Sequence, residues 1–361
     1  MKFIGSAFLF LLLIISCGKR SSSSLPPASG GPGDMYLIMD SLQWRSELGE
    51  VIDSIFNQEM QGLPRKESIF RARWIDPRKL NFVLRQGRNL VFVMTLDRNT
   101  LGARQIRGMF TPESIEKIKS SPNTFNRATK NVYAKNQEVM YLFGATEAEL
   151  IRNLRNSGSS LVDHFDQAER DRLTASLFKA GRLKGVTELL QKDFSCEMKI
   201  PFGYQLVQQE KDFLWVRQIN PKDDKDVFIA RKPYFSQSQF SRDSLIAFRD
   251  AVCKKYLFED PERLDTHLIT ETAIPYKPVI VDQTNFRNQF AVKIRGLWRT
   301  NNLTMGGPFL SYAMVDEGTN MLYYIEGFTF SPGRNQREIM RELETILHTF
   351  RTSKSITQKP N

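Results

Sequence analysis

Beyond residue 266 the chain writes three long apolar runs, near 267–274, 288–299 and 309–330, and closes them with GRNQREIMRELETILHTFR. Successive strand side chains point to opposite faces, so runs of this length bury at least one face. In the closing segment Ile339, Met340, Leu343, Ile346, Leu347 and Phe350 share one helical stripe, the face a sheet would cover. The pattern begins earlier: FSCEMKIPFGYQLVQQEKDFLWVRQI reads as two strands turning at Gln209–Asp212, and VFIARKPY returns after the turn NPKDDKD. A helix from Arg242 to Leu257, N-capped by Ser241, follows. Strands in hairpin runs, closed by helices rather than alternating with them, predict an α+β fold with antiparallel sheets.

The first half reads similarly. MYLIMD is a short apolar strand, and Leu42–Asn57 carries Trp44, Leu48, Ile52 and Ile55 on a helical stripe. SIFRARW, KLNFVL and NLVFVMTL are strand-like, the last apolar enough to be buried on both faces. NVYAKNQEVMYLFGA is a hairpin about Lys135-Asn136 or one bent strand. Helices crowd from Thr146 to Lys192, with NSGSS at 156–160 as a break. We expect two sheet-plus-helix halves, 35–192 and 193–352, and a disordered tail at 353–361.

The amino terminus sets the address. Lys2 precedes an apolar run from Phe3 to Ile15, about half the ~20 residues a spanning helix needs. Ile14-Ile15-Ser16-Cys17 then resembles the bacterial lipobox, so residues 1–16 read as a signal peptide and Cys17 as the lipidated residue. GKRSSSSLPPASGGPGD at 18–34 reads as a flexible tether. Cleavage before Cys17 removes only Lys2 from the +11 balance and leaves +10, which favours anionic lipid, glycan or protein partners. Nucleic acid is not expected in such a compartment.

Catalytic patterns are sparse. His164, His267 and His348 stand far apart, no Cys/His cluster occurs, and there is no G-x-S-x-G, P-loop or dinucleotide glycine fingerprint. No cofactor or metal is therefore expected. Cys196 lies on the apolar face of a strand and Cys253 beside a helical core stripe, so the two thiols either pair or pack as small hydrophobes. Between Arg65 and Arg88, eight Lys/Arg face Glu67 and Asp76, an anion-binding stripe or an ordinary solvated sheet face.

The densest unusual stretch runs from Arg295 to Glu326. A binding surface is expected at Trp298, Met305, Gly306, Gly307, Pro308, Phe309 and Glu326, with Arg295 and Arg299 at its margin. Trp and Arg anchor many interfaces, and paired glycines admit a partner's close approach. Glu326 alternates in phase with apolar neighbours, so it needs an internal cation or a ligand. The alternative is a carboxylate-dependent hydrolase of wall or lipid material, pairing Glu326 with Asp316 or Glu317.

Arg295-Gly296-Leu297-Trp298, Met305-Gly306-Gly307-Pro308-Phe309, Glu326-Gly327-Phe328, Pro332-Gly333 and Arg341-Glu342-Leu343-Glu344 together resemble an uncharacterised family of Bacteroidota lipoproteins, a domain of unknown function. The resemblance extends to GDMYLIMD and VYAKNQEVMYL, and so to nearly all of the chain beyond the tether. It implies lineage and an envelope location, and supplies no catalytic residues. Surface export in that phylum tends to use acidic residues after the lipidated cysteine. Gly18-Lys19-Arg20 stand there instead, which points to a periplasm-facing anchor in the outer membrane. The expected role is a membrane-anchored, non-catalytic binding or envelope-maintenance module. Cys17→Ser is expected to abolish acyl labelling and to move the protein from the membrane to the soluble fraction of lysed cells. Membrane retention of the unlabelled variant would refute the lipobox.

Overall fold

A computed structural model describes residues 25–221, 223–257, 265–273 and 278–352. Cys17, the expected signal peptide at 1–16 and the expected tail at 353–361 lie outside them. Its first half contains β1 (Asp34–Ile38), α1 (Ser41–Trp44), α2 (Glu47–Phe56), β2 (Arg71–Ile75), β3 (Asn89–Thr95), α3 (Leu101–Arg107), α4 (Pro112–Ser120), β4 (Asn126–Lys130), β5 (Glu138–Gly144) and α5 (Glu147–Leu177). The sheet order is β2-β1-β3-β5-β4. Met35, Leu37, Val91, Val93 and Leu142 turn one face to α2 and α5. Ile38, Leu90, Phe92 and Val139 turn the other face to Ile106 and Ile118 of α3 and α4. As expected, β3 is buried on both faces.

The fold is α+β, but the first sheet is not antiparallel throughout. β1 runs parallel to β2 and β3, and β3 parallel to β5, with only β4–β5 antiparallel. The helices between these strands supply crossovers long enough for parallel pairing. KLNFVL is not a strand: the Asn81 side chain accepts from Leu84 N, a short 3₁₀ turn forms, and Phe82 and Val83 are left 75% and 66% exposed. NSGSS does not break α5. A Cβ on Gly158 would lie 2.9 Å from the Ile55 side chain, so the glycine lets α2 and α5 approach closely. The tether is shorter than its composition suggests. Ala28 N and Ser29 N donate to Lys135 O and Gln86 O, and Lys135 N donates to Pro26 O, fastening this segment to the first half.

In the second half come α6 (Lys184–Asp193), β6 (Cys196–Glu197), β7 (Gln205–Glu210), β8 (Phe213–Asn220), β9 (Asp223–Pro233), α7 (Arg242–Tyr256), β10 (Leu268–Thr270), β11 (Ile280–Phe286), β12 (Gln289–Thr300), β13 (Gly306–Asp316), β14 (Met321–Phe330), α8 (Arg337–Leu347) and β15 (Arg351–Thr352). The main sheet is antiparallel, ordered β10-β12-β13-β14-β9-β8-β7, with β11 on β12. The apolar run 309–330 is a hairpin, split where Asn320 takes a positive φ of 53°. Ser241 Oγ accepts from Ser244 N and caps α7. By packing, α6 belongs to this half, because Val186, Leu190 and Phe194 enter its core.

That sheet is sandwiched. Leu214, Val216, Ile229, Tyr323 and Ile325 face α6 and α8, whereas Phe213, Phe228, Tyr324 and Phe328 face α7. Cys196 belongs to the first layer and Cys253 to the second. The sheet therefore separates the two thiols; both are free and buried, and the disulfide does not form. Burial pushes Cys253 up to about 12, as an inert core thiol requires.

The halves meet along α8, which packs on α5. Its N-terminus has no capping bond from its own flank. Glu67 supplies one from the first half, accepting from Gln336 N at 2.7 Å and Arg337 N at 3.1 Å. A carboxylate there satisfies orphan donors and opposes the helix dipole. Glu67→Ala is expected to cost about 1–2 kcal/mol in urea denaturation, with Glu67→Gln recovering part. An unchanged midpoint would show that the cap is not energetically used.

Candidate functional site

The surface expected around Trp298 and Glu326 is taken apart by the sheet. Trp298, Phe309 and Glu326 lie in the α7-facing layer, all 2% exposed or less. Arg295 and Arg299 alternate to the other face of β12 and pair with Asp282 and Glu271, each at 2.6 Å. Met305 packs against the α7-facing core, and Pro308 is buried. The glycines serve the sheet rather than a partner: a Cβ on Gly307 would sit 2.1 Å from Thr329 O. Only Gly306 of the pair is exposed, and its Cβ would still lie 3.0 Å from Trp298 O.

Glu326 finds its cation inside. Arg249 of α7 grips it through Nε at 2.9 Å and Nη2 at 2.8 Å, and Tyr324 OH donates at 2.8 Å. Arg249 also lies 4.1 Å over the Phe309 ring and donates to Thr270 Oγ1. Burial pushes the Glu326 carboxyl up, opposed by the charge and hydrogen bonds of Arg249. The hydrolase pair does not assemble. Glu326 pairs in register with Ser311, five residues and roughly 16 Å along β13 from Asp316. Asp316 also faces the other layer, where it accepts from Gly318 N and Thr319 Oγ1. Glycosidic carboxylates stand ~5–10 Å apart across one cleft. Nor do Asp223, Asp224 and Asp226 gather around a cation, because Arg334, Arg217 and Trp215 Nε1 engage them.

Among the described residues, one concavity lies where the halves meet. It measures about 720 Å³ and is walled by the C-terminal part of α5, the end of α8, Lys199 and the β11–β12 turn. Its lining holds Arg170, Arg182, Lys199, Arg287, Arg351 and His348 against one carboxylate, Asp171. Arg170 is engaged by Asp166 at 2.7 Å, but Arg182, Lys199, Arg287 and Arg351 form no ion pair among the described residues.

Local structure explains why these cations stay there. The two-residue turn Arg287-Asn288 has φ of 53° and 68°, the mirror-image geometry that suits the strand twist. Arginine adopts this backbone at a cost, and Arg287 Nη1 is held by the carbonyl of His348 at 2.8 Å. Burial and the neighbouring Arg351 charge lower the pKa of Arg287, opposed by the nearby Glu197 carboxylate. His348 caps α8 and stacks on Phe286 at 5.0 Å, with Nε2 3.1 Å from Tyr312 OH, so it forms a fixed wall. Such cations, crowded with one another and outnumbering the nearby carboxylates Asp171 and Glu197, form an anion-binding geometry.

The sequence signals its cations one at a time and in five separated segments, so nothing in their spacing announces the cleft. The only local hint is the polar Arg287-Asn288 pair between apolar strands. Among the described residues no His/Cys/Asp/Glu cluster fit to hold a metal is present, and no helix is long and apolar enough to cross a membrane.

Two family models match the chain, both domains of unknown function: DUF8532 over residues 28–178 and DUF4837 over residues 184–349. No curated protein matches it. Among solved structures, the Ran-binding protein Mog1p of Saccharomyces cerevisiae is similar at 8% identity and a TM-score of 0.28, covering 44% of this chain and 90% of that one. A STAR-related lipid transfer protein from Xanthomonas axonopodis is similar at 13% identity and a TM-score of 0.21, covering 41% and 94%. Both structural likenesses are too low to inform function. The boundary between the two matched regions, residues 178–184, falls at the cleft, where Phe178, Gly181 and Arg182 line it.

The Arg249–Glu326 pair is architecture, and its energetics are checkable. Glu326→Ala leaves a buried guanidinium uncompensated and is expected to cost about 3–5 kcal/mol in urea denaturation. The double substitution Arg249→Met with Glu326→Leu is expected to recover most of that loss. A double variant as unstable as the single one would refute the pairing account.

Proposed function

We propose that this protein is a lipid-tethered, non-catalytic module of the bacterial envelope that binds an anionic ligand in the cleft between its two halves. The observation that carries the reading is the set of cations Arg182, Lys199, Arg287 and Arg351, without an ion pair among the described residues, around a cavity of about 720 Å³. Each charge-assisted bond to a bound anion contributes about 1.5–3 kcal/mol. The cleft offers donors at several angles and no paired acid and base, which suits recognition better than turnover. Support for the address comes from Lys2, the apolar run and Ile14-Ile15-Ser16-Cys17, and Gly18-Lys19-Arg20 favour the periplasmic side of the outer membrane.

Inorganic pyrophosphate titrated calorimetrically at low salt is the direct test. Binding is expected, weakening steeply as salt rises. Lys199→Ala combined with Arg287→Ala is expected to lower affinity at least about tenfold, the loss of one such bond. Arg242→Ala, an exposed arginine at the start of α7, is expected to leave it unchanged. Equal affinity in all three proteins, or no binding to the parent, would refute the cleft reading.

A further inference from the structure

From the N-terminal rim of the first half we infer a second surface, one that seats on an anionic lipid bilayer; this rests on the reading of Cys17 as the lipid anchor. Three independent observations meet there. The first is where the chain enters. Pro26, Ala28 and Ser29 are hydrogen-bonded to the loops at Gln86–Arg88 and Lys135. The eight residue steps from Cys17 to Leu25 reach at most about 28 Å when fully extended, so an acylated Cys17 keeps this rim close to the headgroups.

The second is exposed apolar surface at the same rim. Phe82, Val83 and Val132 are 75%, 66% and 37% exposed. Their two loops are stitched together: Gln137 Nε2 donates to Arg85 O at 2.7 Å and Gly87 O at 2.6 Å, and Arg85 lies 5.7 Å over the Tyr133 ring. The apolar groups therefore stand on a braced platform. Aromatic and aliphatic side chains placed this way enter the boundary between headgroups and acyl chains.

The third is charge. Arg85, Lys130 and Lys135 belong to or flank the same two loops and form no ion pair among the described residues. Two carboxylates line the recess beside them: Glu138, buried and hydrogen-bonded to His164, and Asp171, exposed and accepting from Gln167 Nε2, while the buried Glu169 behind it is paired by Arg88 and Arg172. A recess of about 410 Å³ beside the entering chain is lined by Pro27, Ala28, Arg88, Lys130, Lys135 and Arg172, with room for a phosphate headgroup. Each basic residue near an anionic surface is drawn to it, and the apolar loop tips add a depth that charge alone does not supply.

The test uses the intact acylated protein on phosphatidylglycerol-containing vesicles whose acyl chains are brominated to quench tryptophan. Phe82→Trp is expected to be quenched at least about twofold more than Phe235→Trp, a control placed at a residue that is 82% exposed in the second half. Adding Lys130→Glu and Lys135→Glu to Phe82→Trp is expected to leave the protein on vesicles through its acyl chains and to abolish the extra quenching. Vesicle-bound protein with equal quenching at both positions overturns the seating and leaves the anchor standing. Protein that carries no acyl group and stays off vesicles overturns the anchor, and the seating with it.

Discussion

One short helix holds the two halves together, and its polar side sets the energetics of the joint. α8 lays Ile339, Met340, Leu343, Ile346 and Leu347 on the second sheet. Its other side carries two buried charges: Arg341 faces the first half, and Glu344 is held by Lys293 and Tyr312 of the second half with Arg170 of the first at 4.0 Å. Arg341 donates to Ile69 O at 2.7 Å, reaches Asp166 at 3.4 Å, and passes 5.7 Å from the Phe70 ring. Gly33 leaves it room, since a Cβ there would stand 3.1 Å from Nη1. Burial alone would push Glu344 up, but Lys293, His348 and Arg170 hold it well below the usual carboxylate range. Its contribution to stability is therefore complete above the unfolded value of ~4.3 and is lost as pH falls through the lower folded value. A joint made of buried charges tolerates loss of neither partner, and so it fixes one relative placement of the halves.

That placement explains what the sequence let us read and what it hid. Periodicity located the C-terminal hairpins, α7 with its Ser241 cap, and the stripe of α8, because each is decided within a few residues. Strand direction in the first sheet was not legible, since parallel pairing depends on where a crossover returns. KLNFVL carries strand-like residues but finds no neighbouring strand to pair with, and its apolar side chains point to solvent instead. Gly158 looked like punctuation and proved to be a contact, a distinction that rests on Ile55, distant in sequence.

The candidate site failed in the sequence for a related reason. Trp298, the glycine pair and Glu326 are unusual residues, and unusual residues signal constraint without saying whether the constraint is a ligand or the protein's own interior. Here it is the interior: Arg249, far from Glu326 in the chain, occupies the place a ligand would have taken. The cleft that remains open is lined by ordinary lysines and arginines, conspicuous only once the turn at Arg287, the end of α8 and α5 converge.

The two basic surfaces share a wall. Asp171 of α5 borders both the recess at the rim and the cleft between the halves. Thr174 lines the cleft and Ala175 the recess, adjacent positions on one helix. The screening length at physiological ionic strength is ~8 Å. In the proposed readings, a headgroup in the recess and an anion in the cleft would therefore lie within about one such length and repel each other. They are also close enough that the membrane's negative surface potential still reaches the mouth of the cleft. If both proposals hold, affinity in the cleft would depend on how the body is held against the bilayer, because closer approach raises the electrostatic cost of a second anion.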